Sequence, residues 1–151
     1  MEMPKPGPEH EKLRAFEGSW VGEETIHPSP WDPEGGPATA RWTNRIDLDG
    51  FFAVTDYVQK RGGQVSYRGH GVFGHDAEPA VTRMTWFDNM GIMHPAEGRW
   101  EADTLTLSNV SPMGHARYTF KFSKDSFTMK IENSQDGKAW SPFIEGTYRK
   151  A

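Results

Sequence analysis

Six histidines, seven methionines and six tryptophans in a chain of 151 residues without a single cysteine define the chemistry open to this protein. Lacking thiols, it has no disulfide, no thiolate metal site and no cysteine nucleophile. Imidazole and carboxylate chemistry remains, and two stretches gather it: Asp88-Asn89-Met90-Gly91-Ile92-Met93-His94 and Met113-Gly114-His115-Ala116-Arg117. A histidine near its ordinary pKa of about 6.5 takes up and releases protons at neutral pH, so His94 or His115 beside Asp88 or Glu24 is a candidate acid–base pair. Three converging histidines, His27, His94 and His115, with Asp88 would suit a metal ion, and one of them beside an apolar pocket would suit haem iron. No two histidines have the close spacing of a known metal motif, so no metal ligands are assigned and no cofactor is expected, with haem or a His-ligated metal as the alternative. No Gly-x-Ser-x-Gly elbow, phosphate loop or dinucleotide fingerprint occurs, which disfavours serine hydrolase, nucleotide and NAD chemistry.

The residues around these groups suggest what they surround. Exposing a methionine or tryptophan in a solvated turn forgoes about 1.5–3 kcal/mol of burial, so loops rich in them are expected to cover something. The stretch from His27 to Pro37 holds Trp31 among four prolines, Pro28, Pro30, Pro33 and Pro37. Prolines reduce the freedom of the unfolded chain, so this loop is read as a stiff lid.

The elements that must position these residues follow from composition and period. Hydrophobic residues make up 35% of the chain and aromatics 13%, which concentrates apolar area in a few large side chains, as thin barrel walls require. A net charge of −4 with interspersed signs gives no cationic stripe, so neither nucleic acid nor a membrane is an expected partner; a small molecule is, and a homodimer is possible. No stretch approaches the ~20 apolar residues of a membrane span and Met1 to His10 has no apolar leader core, so a cytoplasmic location is expected. Residues 1–7 read as a flexible proline-rich tail and 8–151 as a single domain. Pro8 to Glu17 reads as a helix ended by Gly18. Beyond Ser19 the period becomes two, with turn residues roughly every ten positions. This predicts ten strands, near Trp20–His27, Ala38–Leu48, Phe51–Lys60, Gln64–Phe73, Ala80–Asp88, Met93–Glu101, Thr104–Val110, His115–Ser123, Ser126–Asn133 and Trp140–Lys150. The expected fold class is all-β: a ten-stranded antiparallel up-and-down barrel whose base is closed by the helix.

Gly18-Ser19-Trp20 after a short helix, with antiparallel strands ending in Gly146-Thr147-Tyr148-Arg149, resembles the calycin superfamily of lipocalins, fatty-acid-binding proteins, avidins and nitrobindins. The resemblance implies that the Trp20 indole closes the barrel base after Gly18, packed beneath a basic residue of the last strand, here Arg149. The start Gly7-Pro8-Glu9-His10-Glu11 also resembles small bacterial proteins catalogued only as a domain of unknown function. Two features depart from the superfamily: the Arg-x-Tyr carboxylate clamp of fatty-acid-binding proteins is missing from the last strand, and the glycine alternation of nitrobindins is reduced to Gly22.

In an up-and-down barrel alternate connections share an end. Placing Trp20 at the floor therefore sends the His- and Met-bearing loops together to the mouth. Parity then nominates a lining: Ile26, His27, Trp31, Trp42, His70, Met84, Trp86, Asp88, Met90, His94, Met113, His115 and Arg117. Strand Gln64–Phe73 leaves two faces open, one with His70 and Val72 and one with Val65, Tyr67 and Phe73. Strand His115–Ser123 sets the apolar face of Ala116, Tyr118, Phe120 and Phe122 against that of His115, Arg117 and Thr119. The expected function is binding of a small, largely apolar or aromatic ligand beneath Trp31. The alternative is a mouth-sited enzyme that isomerises, cyclises or hydrates an apolar substrate.

Overall fold

Pro8 opens a short helix, α1 (Pro8–Lys12), with Gly7 as its N-cap. The fixed φ of proline suits a first helical position, where its missing N–H would have had no partner. The structure, a computed structural model describing all 151 residues, differs here from the single helix expected to run to Glu17. The chain tightens at Leu13–Phe16 into a 3-10 turn, whose three-residue repeat points Leu13 and Phe16 the same way, and both are fully buried.

Ten strands follow: β1 (Gly18–Ile26), β2 (Gly36–Asp47), β3 (Phe52–Arg61), β4 (Gln64–Asp76), β5 (Val81–Asp88), β6 (Met93–Glu101), β7 (Thr104–Ser111), β8 (Gly114–Phe122), β9 (Ser126–Ser134) and β10 (Ser141–Lys150). Each pairs antiparallel with the next, and β1 pairs with β10, so the sheet closes into a barrel without free edges. The all-β, ten-stranded up-and-down barrel expected from the sequence is the fold observed. Side-chain alternation is clean where the sequence alternates: on β2, Ala38, Ala40, Trp42 and Asn44 are buried while Thr39, Arg41, Thr43 and Arg45 are exposed.

One half of the barrel is solid. Phe16 stacks on Phe73 with ring centroids 4.4 Å apart, and Trp20 meets Phe127 edge-on at 5.0 Å. Trp42, Leu105, Phe120 and Tyr148 complete a cluster with almost no exposure. The Trp20 indole Nε1 donates to the Phe16 carbonyl at 2.9 Å, and Asn44 Nδ2 donates to the same oxygen at 2.8 Å, which ties the base turn to the wall. The basic partner of Trp20 is not Arg149. Trp20 lies directly opposite Lys150, so those two share a face; Lys150 Nζ sits 4.2 Å from the Trp20 ring and donates to the Glu17 carbonyl at 3.0 Å. Arg149, opposite Val21, faces outward toward Glu23 at 3.5 Å. No helix is long and apolar enough to cross a membrane.

Candidate functional site

The inner wall changes character above Trp42. Tyr67, Trp86, His94, Tyr118, Ile131, Asn133 and Ile144 face inward, by their register with buried neighbours, yet each keeps part of its surface in solvent. The barrel is therefore a packed plug below, and at its mouth the inner wall, here termed the cup, packs on that plug while keeping part of its surface in solvent. Around the opening stand large apolar side chains in the solvent: Trp31, Met90, Met93, Val110 and Met113 are all at least half exposed. The connections that carry them meet at one end, as alternate loops of such a barrel must.

The bottom of the cup is a buried carboxylate. Glu24, four residues along β1 from Trp20, shares its inward face and is 3% exposed. Its oxygens accept the Tyr57 hydroxyl at 2.8 and 2.7 Å, Gln59 Nε2 at 2.9 Å and the Tyr148 hydroxyl at 2.5 Å. Tyr57 and Gln59 reach it from alternate positions on β3. Tyr148 reaches it because Gly146 leaves the space: a Cβ there would lie 2.1 Å from the Tyr148 oxygen. Burial, and then the Glu24 charge, push both tyrosines far above their usual pKa, so they remain donors.

A second carboxylate lies nearer the rim. The Asp88 side chain has no exposed surface and that of His94 is 35% exposed. Asp88 Oδ1 accepts the backbone N–H groups of Met90 and Ile92, each at 3.0 Å, while Oδ2 accepts the Tyr67 hydroxyl at 3.0 Å and meets His94 Nε2 at 3.3 Å. Trp86 Nε1 donates to the Tyr67 oxygen at 2.9 Å. Burial works to raise the Asp88 pKa, but the hydrogen bonds from Ile92, Met90, Tyr67 and His94 outweigh it and hold Asp88 below the usual carboxylate range. Burial raises Tyr67 as well. The Trp86 indole lies over Gly69 and Gly71, where an added Cβ would come within 2.5 and 2.6 Å of it. Tyr57 links the two levels, with ring centroids 5.9 Å from Trp86 and 6.0 Å from Tyr67.

Of the lining nominated from sequence, Ile26, Trp42, Met84, Trp86, Asp88 and His94 face the interior, though Trp42 and Met84 belong to the plug. Glu24 also faces inward. The other nominated histidines lie outside. His27 is outward, its Nε2 2.6 Å from Glu145. His70 is on the outer wall against Asp56, because the more apolar face with Tyr67 and Phe73 turned inward; the bulge opposite Lys60 then turns Val65 of that face outward. His115 and Arg117 stand opposite Ser134 and Glu132 on the outer face, since Tyr118, Phe120 and Phe122 fill the interior. Arg117 Nε donates to Glu132 Oε1 at 3.0 Å and its guanidinium lies 4.1 Å over Trp140. His94 and His115 thus share an end of the barrel but not a side of its wall, and no three His, Asp or Glu side chains come together as a metal site would need.

Trp31 is not a plug either. It is 53% exposed and meets Phe143 of β10 edge-on at 5.7 Å. Its loop is nonetheless pinned: Arg61 Nη1 donates to Asp32 Oδ2 at 2.7 Å and Nη2 to the Gly35 carbonyl at 2.5 Å. Met90 and Met113 are loop tips in solvent. The residues that sequence reasoning missed are Tyr57, Gln59 and Tyr148, while Tyr67 and Tyr118 stood on faces it left open. One signal was available, since Tyr57 and Gln59 continue the inward register of Ala53 and Thr55 and put polar groups on a face otherwise committed to the core. Two clefts of about 260 Å³ are present, one between α1 and the floor ends of β4 to β6, lined by Lys12, His75 and Trp100, and one at the rim where Asp88 and Gly69 meet the outward His70 and Phe87.

The crystal structure of Rv2717c from M. tuberculosis is similar to this barrel, with a TM-score of 0.76 over 96% of this chain and 98% of that one. Identity is 13%, so the likeness is one of fold. No curated protein matches the sequence. The family described as a protein of unknown function, DUF1579, matches residues 5–150, so that nearly the whole chain, from just before α1 to the end of β10, places this protein in that family.

Proposed function

We propose that the protein is a calycin-like binding protein that holds a small, largely apolar or aromatic molecule in the upper half of its barrel. The observation that carries this reading is the division of the inner wall into a dry plug and a solvent-touched aromatic cup. A barrel serving only as a scaffold gains by filling both halves alike, whereas Tyr67, Trp86 and Tyr118 are left with surface that a ligand would cover. Titration of the purified protein with 1-naphthalenemethanol in a calorimeter tests it. A saturable one-to-one heat, weakened in Trp86→Ala, is expected; no saturable heat with this probe or with cationic and anionic naphthalenes of the same size would overturn the reading.

A second reading, acid–base catalysis, is favoured by the contact between His94 Nε2 and Asp88 inside the cup. A molecule extracted from the protein should then return chemically changed after incubation with fresh protein and unchanged after incubation with His94→Gln. A haem or His-ligated metal would have to take its nitrogen from His94, the one histidine on the cup wall, whose Nε2 already meets Asp88. With no further His, Asp or Glu side chains converging there as a group of three, the residues do not fit a protein-held metal.

A further inference from the structure

We propose that the cup selects an organic cation, an ammonium group carried on an apolar or aromatic body, and discriminates against anions. The proposal rests on the binding reading above and specifies its ligand class.

Two carboxylates, Glu24 and Asp88, are withdrawn from water at the bottom and side of the cup. Their partners are tyrosine hydroxyls, an amide, backbone N–H groups and one imidazole. None of these neutralises a charge as a guanidinium or ammonium would. Above Trp42 the only lysine or arginine in inward register is Arg61, and its Nη1 is already on Asp32. The other strong cation near this end, Arg117, is outside the wall on Glu132 and Trp140. The interior field is therefore negative.

The aromatic walls act in the same direction. Tyr67, Trp86 and Tyr118 keep exposed surface toward the cup, and the electron-rich face of such rings attracts cations, most of all quaternary ammonium groups. An incoming carboxylate would meet two buried carboxylates, and the hydroxyls of Tyr57, Tyr67 and Tyr148 already donate to Glu24 or Asp88, which leaves it only neutral donors such as the Tyr118 hydroxyl and the Asn133 amide. A neutral ligand would gain only the burial of its apolar surface.

A matched series decides the matter: trimethyl(1-naphthylmethyl)ammonium, 1-naphthalenemethanol and 1-naphthoate, titrated calorimetrically into the wild-type protein at about pH 8. The ammonium is expected to bind tightest and the naphthoate at least about tenfold more weakly than the ammonium. In Asp88→Asn and in Glu24→Gln, each checked for fold by circular dichroism, the ammonium-to-naphthoate affinity ratio is expected to fall about tenfold. Naphthoate binding as tightly as the ammonium would overturn the proposal while leaving the binding reading in place. Failure of all three to bind would overturn both. If the two variants do not fold, the series on the wild-type protein still decides.

Discussion

Replacing Glu24 by alanine removes the acceptor on which three buried donors close, the hydroxyls of Tyr57 and Tyr148 and the amide of Gln59. Each buried donor left without a partner costs about 1–3 kcal/mol. Part of that loss is recovered, because Gln59 Nε2 already lies 3.3 Å from the Tyr57 oxygen and can close fully on it. Part is offset because the alanine variant no longer holds a charge out of water. Three donors at that cost, less these two recoveries, leave about 3–5 kcal/mol as the loss expected for Glu24→Ala. Glu24→Gln keeps an acceptor oxygen and nearly the same shape while exchanging charge-assisted bonds for neutral ones. Its expected cost is about 1–2 kcal/mol. Tyr148→Phe, which deletes a donor to a charged group, should fall between these at about 1.5–3 kcal/mol. Urea unfolding followed by tryptophan emission measures all three, and an unchanged slope against urea confirms that the comparison is one of stability. The reasoning is refuted if Glu24→Ala lies within about 1 kcal/mol of wild type, or if the glutamine variant loses as much as the alanine variant.

Further outcomes follow from the same geometry. Trp20→Ala should cost about 3–5 kcal/mol, as a large buried truncation, while Trp31→Ala, half exposed against Phe143, should cost under about 1 kcal/mol; equal losses in urea titrations would contradict the separation of floor from rim. Gly71→Ala places a Cβ 2.6 Å from the Trp86 ring and should destabilise by about 1–3 kcal/mol through overpacking while weakening naphthalene binding; normal binding in a calorimeter would count against Trp86 as a cup wall. Asp88 has a depressed pKa in the folded state, so its stabilisation is fully present above the unfolded-state value of about 3.9 and is lost as pH falls through the lower folded value. Urea midpoints measured downward from about pH 6 should therefore drop more steeply for wild type than for Asp88→Asn, and parallel slopes would contradict the assignment.

The barrel was legible because its signals are local. Period-two alternation, turn residues at regular spacing and Gly18-x-Trp20 each act over a few residues, and all agree with the closed sheet. Which end each loop occupies followed from topology alone. Which side of the wall each histidine takes did not, because that depends on competition between the two faces of a strand. On β8 the apolar set of Tyr118, Phe120 and Phe122 prevailed and turned His115 and Arg117 out; on β4 Tyr67 and Phe73 did the same to His70. The Glu24 network was harder to read, since its members lie on β1, β3 and β10 and meet only when the barrel closes. Lys150 in place of Arg149 over Trp20 was a one-residue error of register, which in a strand moves a side chain to the opposite face.

The most direct test is a crystal structure of the protein grown with 1-naphthalenemethanol. Bound density between Trp86, Tyr67 and Tyr118, above the Glu24 carboxylate and its tyrosines, is the result this account requires. Density only on the outer wall beside Arg117 and Trp140, or only in the cleft under α1, with the upper barrel filled by its own side chains, would contradict it.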